Sequence, residues 1–294
     1  MKNQFTVLKG VLLLTSVFLF SSFAPDKPAY LLYNAKGKQV KYTKMIGDLN
    51  QADMVFFGEL HNNPIAHWME LELTNELYKS KKQNLVLGAE MFESDLQGVL
   101  NDYLEGKTDE KIFEKNERFW KNYKTDYKPL VLAAKENKLP FIATNVPRKY
   151  ASLVNKQGLE ALDTLPDTEK AFIAPLPIKY DAELACYKKM MEMMATHGGP
   201  ANPNFPKAQA IKDATMAHFM LKNWTPGKQF LHYNGSYHSD NHQGIIWYLK
   251  QANNALNIKT VAVVLQKDIN KLEAEYLNVA DYIIVVPENM TTTY

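Results

Sequence analysis

The chain has 294 residues, with 34 basic and 32 acidic side chains, seven histidines and one cysteine. Setting aside Lys2 and Lys9 of the N-terminal apolar segment leaves the two charge types in balance, which argues against nucleic acid or any other polyanion as partner. Cys186 has no second cysteine to pair with, so a hydrophobic core must hold the fold, and this length suffices for one large core or two modest ones.

Residues 1–24 carry two lysines, an apolar run from Gly10 to Phe20 and the small residues Ser21, Ser22 and Ala24. This pattern predicts a signal peptide cleaved near Ala24, and hence an exported protein, periplasmic or membrane-associated. No cysteine follows the run, so no lipid-accepting N-terminus is expected. Tyr30-Leu31-Leu32-Tyr33 and Gln39-Val40-Lys41-Tyr42 flank Gly37 and predict a hairpin at the edge of a sheet.

Residues 53–61 then form an apolar run that stops at Gly58 and delivers Glu59 and His61. Three more runs share this shape: residues 84–90 end in Glu90, residues 139–145 in Thr144 and Asn145, and residues 230–238 in Gly235, Ser236, Tyr237 and His238. Short apolar runs separated by helical patterns predict strands of a mostly parallel sheet flanked by helices, an α/β fold. Residues 260–265 and 282–286 supply two further strands, and helices are expected over 64–79, within 94–138, and over 147–154, 181–197 and 207–224. The organisation expected is a signal peptide at 1–24, an α/β domain from 25–146 and 227–294, and a small helical subdomain inserted at 147–226.

In a parallel sheet ligands sit beyond the carboxyl ends of the strands, so one site is expected there. His61, His238, Glu59 and Glu90 suit a divalent metal with an open position for water, or a histidine acting as general base near a glutamate. His238 and His242 would share a face if their segment is helical. The alternative is structural: strand-end polar residues cap the next helix, and His67 and His242 are helix-surface residues. The inserted helices carry a second signal in Tyr180, Tyr187, Met190, Met191, Met193, Met194 and His197, followed by Met216, His218 and Met220. Such methionines either fill core gaps or line an apolar pocket in which a tyrosine or histidine meets haem iron.

Taken in order, Gly58-Glu59-Leu60-His61 with His67, Gly88-Ala89-Glu90-Met91-Phe92, residues 208–218 with Asp213, and Asn234-Gly235-Ser236-Tyr237-His238 with Gly244 resemble the ChaN family of haem-binding proteins. More distantly they resemble the Tiki proteases and erythromycin esterases. The resemblance implies a two-part fold and haem held between the parts, stacked in pairs at a homodimer interface, with a tyrosine as iron ligand. Tyr187, Tyr180 and Tyr237 are the candidates, His197 is a further cofactor-binding residue, and Arg148, just after the third strand, is expected to pair with a haem propionate or a substrate carboxylate. The resemblance also implies iron uptake, with an outer-membrane haem receptor as candidate partner. The hydrolytic site of the superfamily carries over onto His61, Glu90 and His238, with Asp213 beside them. An exported haem-binding protein is therefore the first expectation, and a metal-dependent hydrolase the alternative.

Overall fold

The apolar runs become a seven-stranded sheet. The computed structural model describes residues 27–196 and 202–294; the expected signal segment and His197 lie outside them. The strands are β1 (Leu31–Asn34), β2 (Met54–Glu59), β3 (Leu85–Glu93), β4 (Phe141–Asn145), β5 (Gln229–Gly235), β6 (Ile258–Gln266) and β7 (Tyr282–Pro287). Their lateral order is β1-β7-β6-β2-β5-β3-β4, all parallel except β1, which runs antiparallel to β7.

The helices are α1 (Tyr42–Leu49), α2 (Pro64–Lys81), α3 (Gln97–Leu104), α4 (Glu110–Phe113), α5 (Lys128–Asn137), α6 (Arg148–Gln157), α7 (Asp167–Lys170), α8 (Ala185–Thr196), α9 (Phe205–Asn223) and α10 (Ile245–Ala252). Every residue of β2, β4 and β5 is buried, because helices cover both faces. Val55, Phe57, Leu87, Leu231 and Tyr233 face α2 and α5 through Leu73, Leu77, Leu130 and Val131. The alternate residues Met54, Phe56, Val86 and Phe230 face α9 and α10 through Met216, Met220, Ile245 and Leu249. Met216 and Met220 are thus core side chains, each contributing about 1.5–3 kcal/mol by burial.

Helix α9 has two roles. Its second half covers the sheet, while Ile211 near its start packs with Tyr150, Val154 and Leu162. Helix α8 rests on the same helix through Tyr187, Met190 and Ala210. No helix among the described residues is long and apolar enough to cross a membrane.

The expected hairpin at residues 30–42 forms only in part. Strand β1 does lie at the sheet edge, but it pairs with β7, and of its other arm only Gln39 makes an isolated bridge to Tyr33. Tyr42 instead opens α1, whose Met45 and Leu49, four residues apart, are both fully buried. Burial of that helical stripe outweighs the strand preference of a short polar ribbon.

Candidate functional site

Strand register brings the polar ends together. Glu59 of β2 lies opposite Gly235 of β5. On the far side of β5, the pairing of β3 with β4 shifts between Ala89 and Glu93. The shift frees the Glu90 carbonyl, which accepts from Asn145 Nδ2 at 2.9 Å, while Glu90 Oε2 accepts from the Gly235 backbone N–H at 2.8 Å.

Two imidazoles converge on Glu90, each held from behind by a buried carboxylate. His61 Nδ1 donates to Glu59 Oε1 at 2.6 Å, and Tyr127 OH donates to the same oxygen at 2.7 Å. His238 Nδ1 donates to Asp213 Oδ1 at 2.5 Å, and Asp213 Oδ2 accepts from Tyr187 OH at 2.9 Å. With both Nδ1 atoms committed, His238 Nε2 stands 3.2 Å from Glu90 Oε1, and the His61 ring lies against Gly235. A Cβ at position 235 would meet His61 Cε1 at 2.7 Å and Nε2 at 2.9 Å, so only glycine leaves room for the ring. Gln209 Nε2 stands 3.1 and 3.2 Å from the two His238 nitrogens.

The charges follow from this geometry. Burial works against charging His238, but Glu90 and Asp213 outweigh it and its pKa is pushed up to about 9. Burial likewise opposes charge on His61, and Glu59 and Glu90 raise its pKa nonetheless. Burial alone would raise Glu90; His238, His61 and Lys212 reverse that and hold it well below the usual carboxylate range. Burial raises Asp213, with His238 and Tyr187 opposing.

A second cluster lies behind the first, against α2. His67, six residues after His61, is buried and donates through Nε2 to the His61 carbonyl at 3.0 Å. Its Nδ1 is 3.1 Å from Glu70 Oε2 and 3.5 Å from Glu59 Oε2. Asn122 Nδ2 donates to the same His61 carbonyl at 3.0 Å and to Asp126 Oδ2 at 2.7 Å. A single π-turn (Tyr123–Tyr127) turns Asp126 and Tyr127 inward, and the Trp120 ring meets His61 edge-on at 4.8 Å. The helical excursion between β3 and β4 thus covers the His61 side of the crevice.

Of the sequence candidates, Glu59, His61, Glu90, Asp213, His238 and Tyr187 are brought into one hydrogen-bonded system. Tyr237 sits on its rim, 45% exposed, with its hydroxyl 3.2 Å from Met193 Sδ. Tyr187 is buried, and the Tyr180 ring lies 5.5 Å from it. Arg148 opens α6 beyond β4, exposed, and makes no ion pair among the described residues. The expected helical pairing of His238 with His242 does not occur. Asn241 and His242 both take φ of 56°, which breaks the segment into two 3₁₀ turns, and His242 turns to Asp281 at 3.1 Å. His67 is likewise no surface residue. Sequence reasoning also missed Glu70, Asp126, Tyr127 and Gln209; the available signal was polar His67 and Glu70 on the same helical face as Ala66, Met69 and Leu73.

The family model described as "Haem-binding uptake, Tiki superfamily, ChaN" matches residues 45–249. The chain belongs to the ChaN family. The matched stretch contains Glu59, His61, Glu90, Asp213, Tyr237 and His238, and the family is one of haem-binding uptake proteins. The solved structure described as "Cofacial heme binding to ChaN of Campylobacter jejuni" is similar at 19% identity and a TM-score of 0.66, over 87% of this chain and 96% of that one. It shows a shared ChaN fold. An erythromycin esterase is similar at 9% identity and a TM-score of 0.45, over 87% of this chain and 83% of that one. Among curated relatives, "Protein RETICULATA-RELATED 5, chloroplastic" of Arabidopsis thaliana is 23% identical over 186 residues, 59% of this chain. The chain spans about a quarter of that relative's length.

Proposed function

We propose that this ChaN-family chain is an exported haem-binding protein of haem or iron acquisition, taking ferric haem on the rim between the strand ends and α8 with Tyr237 as iron ligand. The observation that carries the reading is the exposed Tyr237 phenol beside buried His238. The oxygen of Tyr187 is committed to Asp213, and burial raises its pKa far above the ordinary phenol value. The Tyr237 hydroxyl meets only a thioether in the described hydrogen bonding, a weak acceptor that an iron bond displaces at little cost. A phenolate suits ferric iron, half-buried Met193 and Met194 offer apolar contact, and Lys189 and Lys212 bring positive charge for propionates. The signal-like segment at 1–24 supports export, and cofacial haem in the Campylobacter jejuni relative supports a homodimer in which two haems stack.

The test is a ferric haem titration of three proteins, followed in the visible spectrum. Wild type and Tyr187→Phe are expected to saturate with tyrosinate-like bands, while Tyr237→Phe loses those bands and binds at least about tenfold more weakly, a difference of about 1.4 kcal/mol. Loss of the bands in Tyr187→Phe alone would move the ligand to Tyr187; no saturation in wild type would sink the reading.

One observation favours a second reading, metal-dependent hydrolysis: His61 and His238 are each oriented by a carboxylate at Nδ1, and His238 Nε2 stands 3.2 Å from Glu90 Oε1. That is how metal-binding or general-base imidazoles are held. Under it, wild type hydrolyses ester or peptide substrates and His61→Ala and His238→Ala both lose the activity; equal rates in all three remove it.

A further inference from the structure

We propose that Glu59, His67 and Glu70 form a binding site for a first-row divalent cation, beneath the strand ends and apart from the haem rim.

The first ground is an excess of acceptors. Glu59 Oε2 and Glu70 Oε1 are buried and have no hydrogen-bond partner, although their residues are at most 1% exposed. His67 Nε2 faces the His61 carbonyl, which can only accept, so Nε2 carries a hydrogen, and Nδ1 faces the two carboxylates. With both carboxylates ionised, His67 Nδ1 is the one atom of that triangle able to carry a hydrogen. Such a point in a buried site calls for a cation or for added protons.

The second ground is charge. Three buried carboxylates, Glu59, Glu70 and Asp126, meet here, and among the described residues no lysine or arginine forms an ion pair with any of them; only His61 and His67 do. Burial and the Glu59 charge both disfavour the ionised form of Glu70 where no cation is present. A divalent cation among the three carboxylates offsets their charge.

The third ground is spacing. The three ligand atoms lie within 4.8 Å of one another. Metal–ligand bonds of about 2.0–2.2 Å at tetrahedral angles set neighbouring ligand atoms roughly 3.4 Å apart. The separations of His67 Nδ1 from the two carboxylates, 3.5 and 3.1 Å, are of that size. The surroundings also orient the ligands: Tyr127 and His61 occupy Glu59 Oε1, and the His61 carbonyl holds the far side of His67. Two carboxylates and one imidazole suit Zn²⁺ or Mn²⁺.

The experiment is equilibrium dialysis of the full chain, stripped with chelator, against Zn²⁺ and Mn²⁺ separately, with bound metal measured by atomic emission. The expected result is one ion per chain and a rise in Tm on loading. Glu70→Gln should weaken binding at least tenfold and abolish the rise, while His242→Gln, whose imidazole turns to Asp281 outside both clusters, binds as wild type does. Metal-free Glu70→Gln should keep a single cooperative unfolding transition, as metal-free wild type does, which separates loss of the metal from loss of the fold. Absence of saturable binding by wild type, or binding undiminished in Glu70→Gln, would overturn the proposal. A flat haem titration of the same sample would reject the haem reading and leave this one standing.

Discussion

Gly235 lacks a side chain at the one point where the His61 ring crosses β5. The ring is pinned at Nδ1 by Glu59 and cannot swing aside, so Gly235→Ala should cost about 1–3 kcal/mol, read as a lowered urea midpoint at unchanged m-value. An unchanged midpoint would mean that His61 is free to move. Gly244 supports His238 in the same manner: its φ is +58°, and a Cβ there would stand 2.4 Å from the His238 carbonyl oxygen. The charged pair beside it predicts a pH dependence. The pKa of His238, about 9 in the fold against an ordinary 6.5, means its contribution is complete below about pH 6.5 and is lost as pH rises through 9, a change of about 3 kcal/mol. Glu90, lowered from 4.5, acts in the opposite sense, contributing above about pH 4.5 and less as pH falls. The stability difference between wild type and His238→Gln should therefore be largest near pH 5–6 and shrink by pH 9.5; a difference flat across that range would contradict the assignment. Glu59, His61, Glu90 and His238 were legible in the sequence because each ends an apolar run. The carboxylates behind the histidines were less so: Asp213 was reached through the motif order, and the Glu59–His61 contact depends on how the chain turns after β2.

At the scale of elements, the methionines of α8 and α9 divide between the two roles their spacing permits. Met216 and Met220 are sealed between α9 and the sheet, whereas Met193 stays half-buried beside Tyr237. Met216→Ala should cost about 2–5 kcal/mol in chemical denaturation, and Met193→Ala well under half as much while shifting the haem titration. Equal costs would mean that α8 is packed as tightly as α9. Sequence periodicity could not separate these residues, because a helical stripe does not say whether a sheet or a crevice lies opposite. The same limit hid His67 and Glu70, whose inward face on α2 is visible, but not the Glu59 carboxylate that meets it. The His238–His242 pairing failed for a backbone reason, two consecutive residues with positive φ, and the second hairpin arm failed because residues 42–49 bury a better helical stripe than a strand would.

For the whole molecule, the decisive feature is that β5 lies between β2 and β3. This order sets Gly235 beside both Glu59 and Glu90, and it draws residues more than a hundred positions apart into one crevice. The parallel sheet and the end at which the site lies were readable from the runs of buried residues; the strand order was not, because nothing local in residues 230–238 names its neighbours. The site has two carboxylate-backed histidines beside Glu90 and an exposed tyrosine on its rim in contact with Met193 of α8, and the proposed haem would lie against that rim. The most direct test is a ferric haem titration of residues 25–294 of the wild-type chain. Saturation at a fixed ratio of haem to chain, with high-spin tyrosinate-like bands, is the predicted result; a linear, non-saturating response would contradict the account.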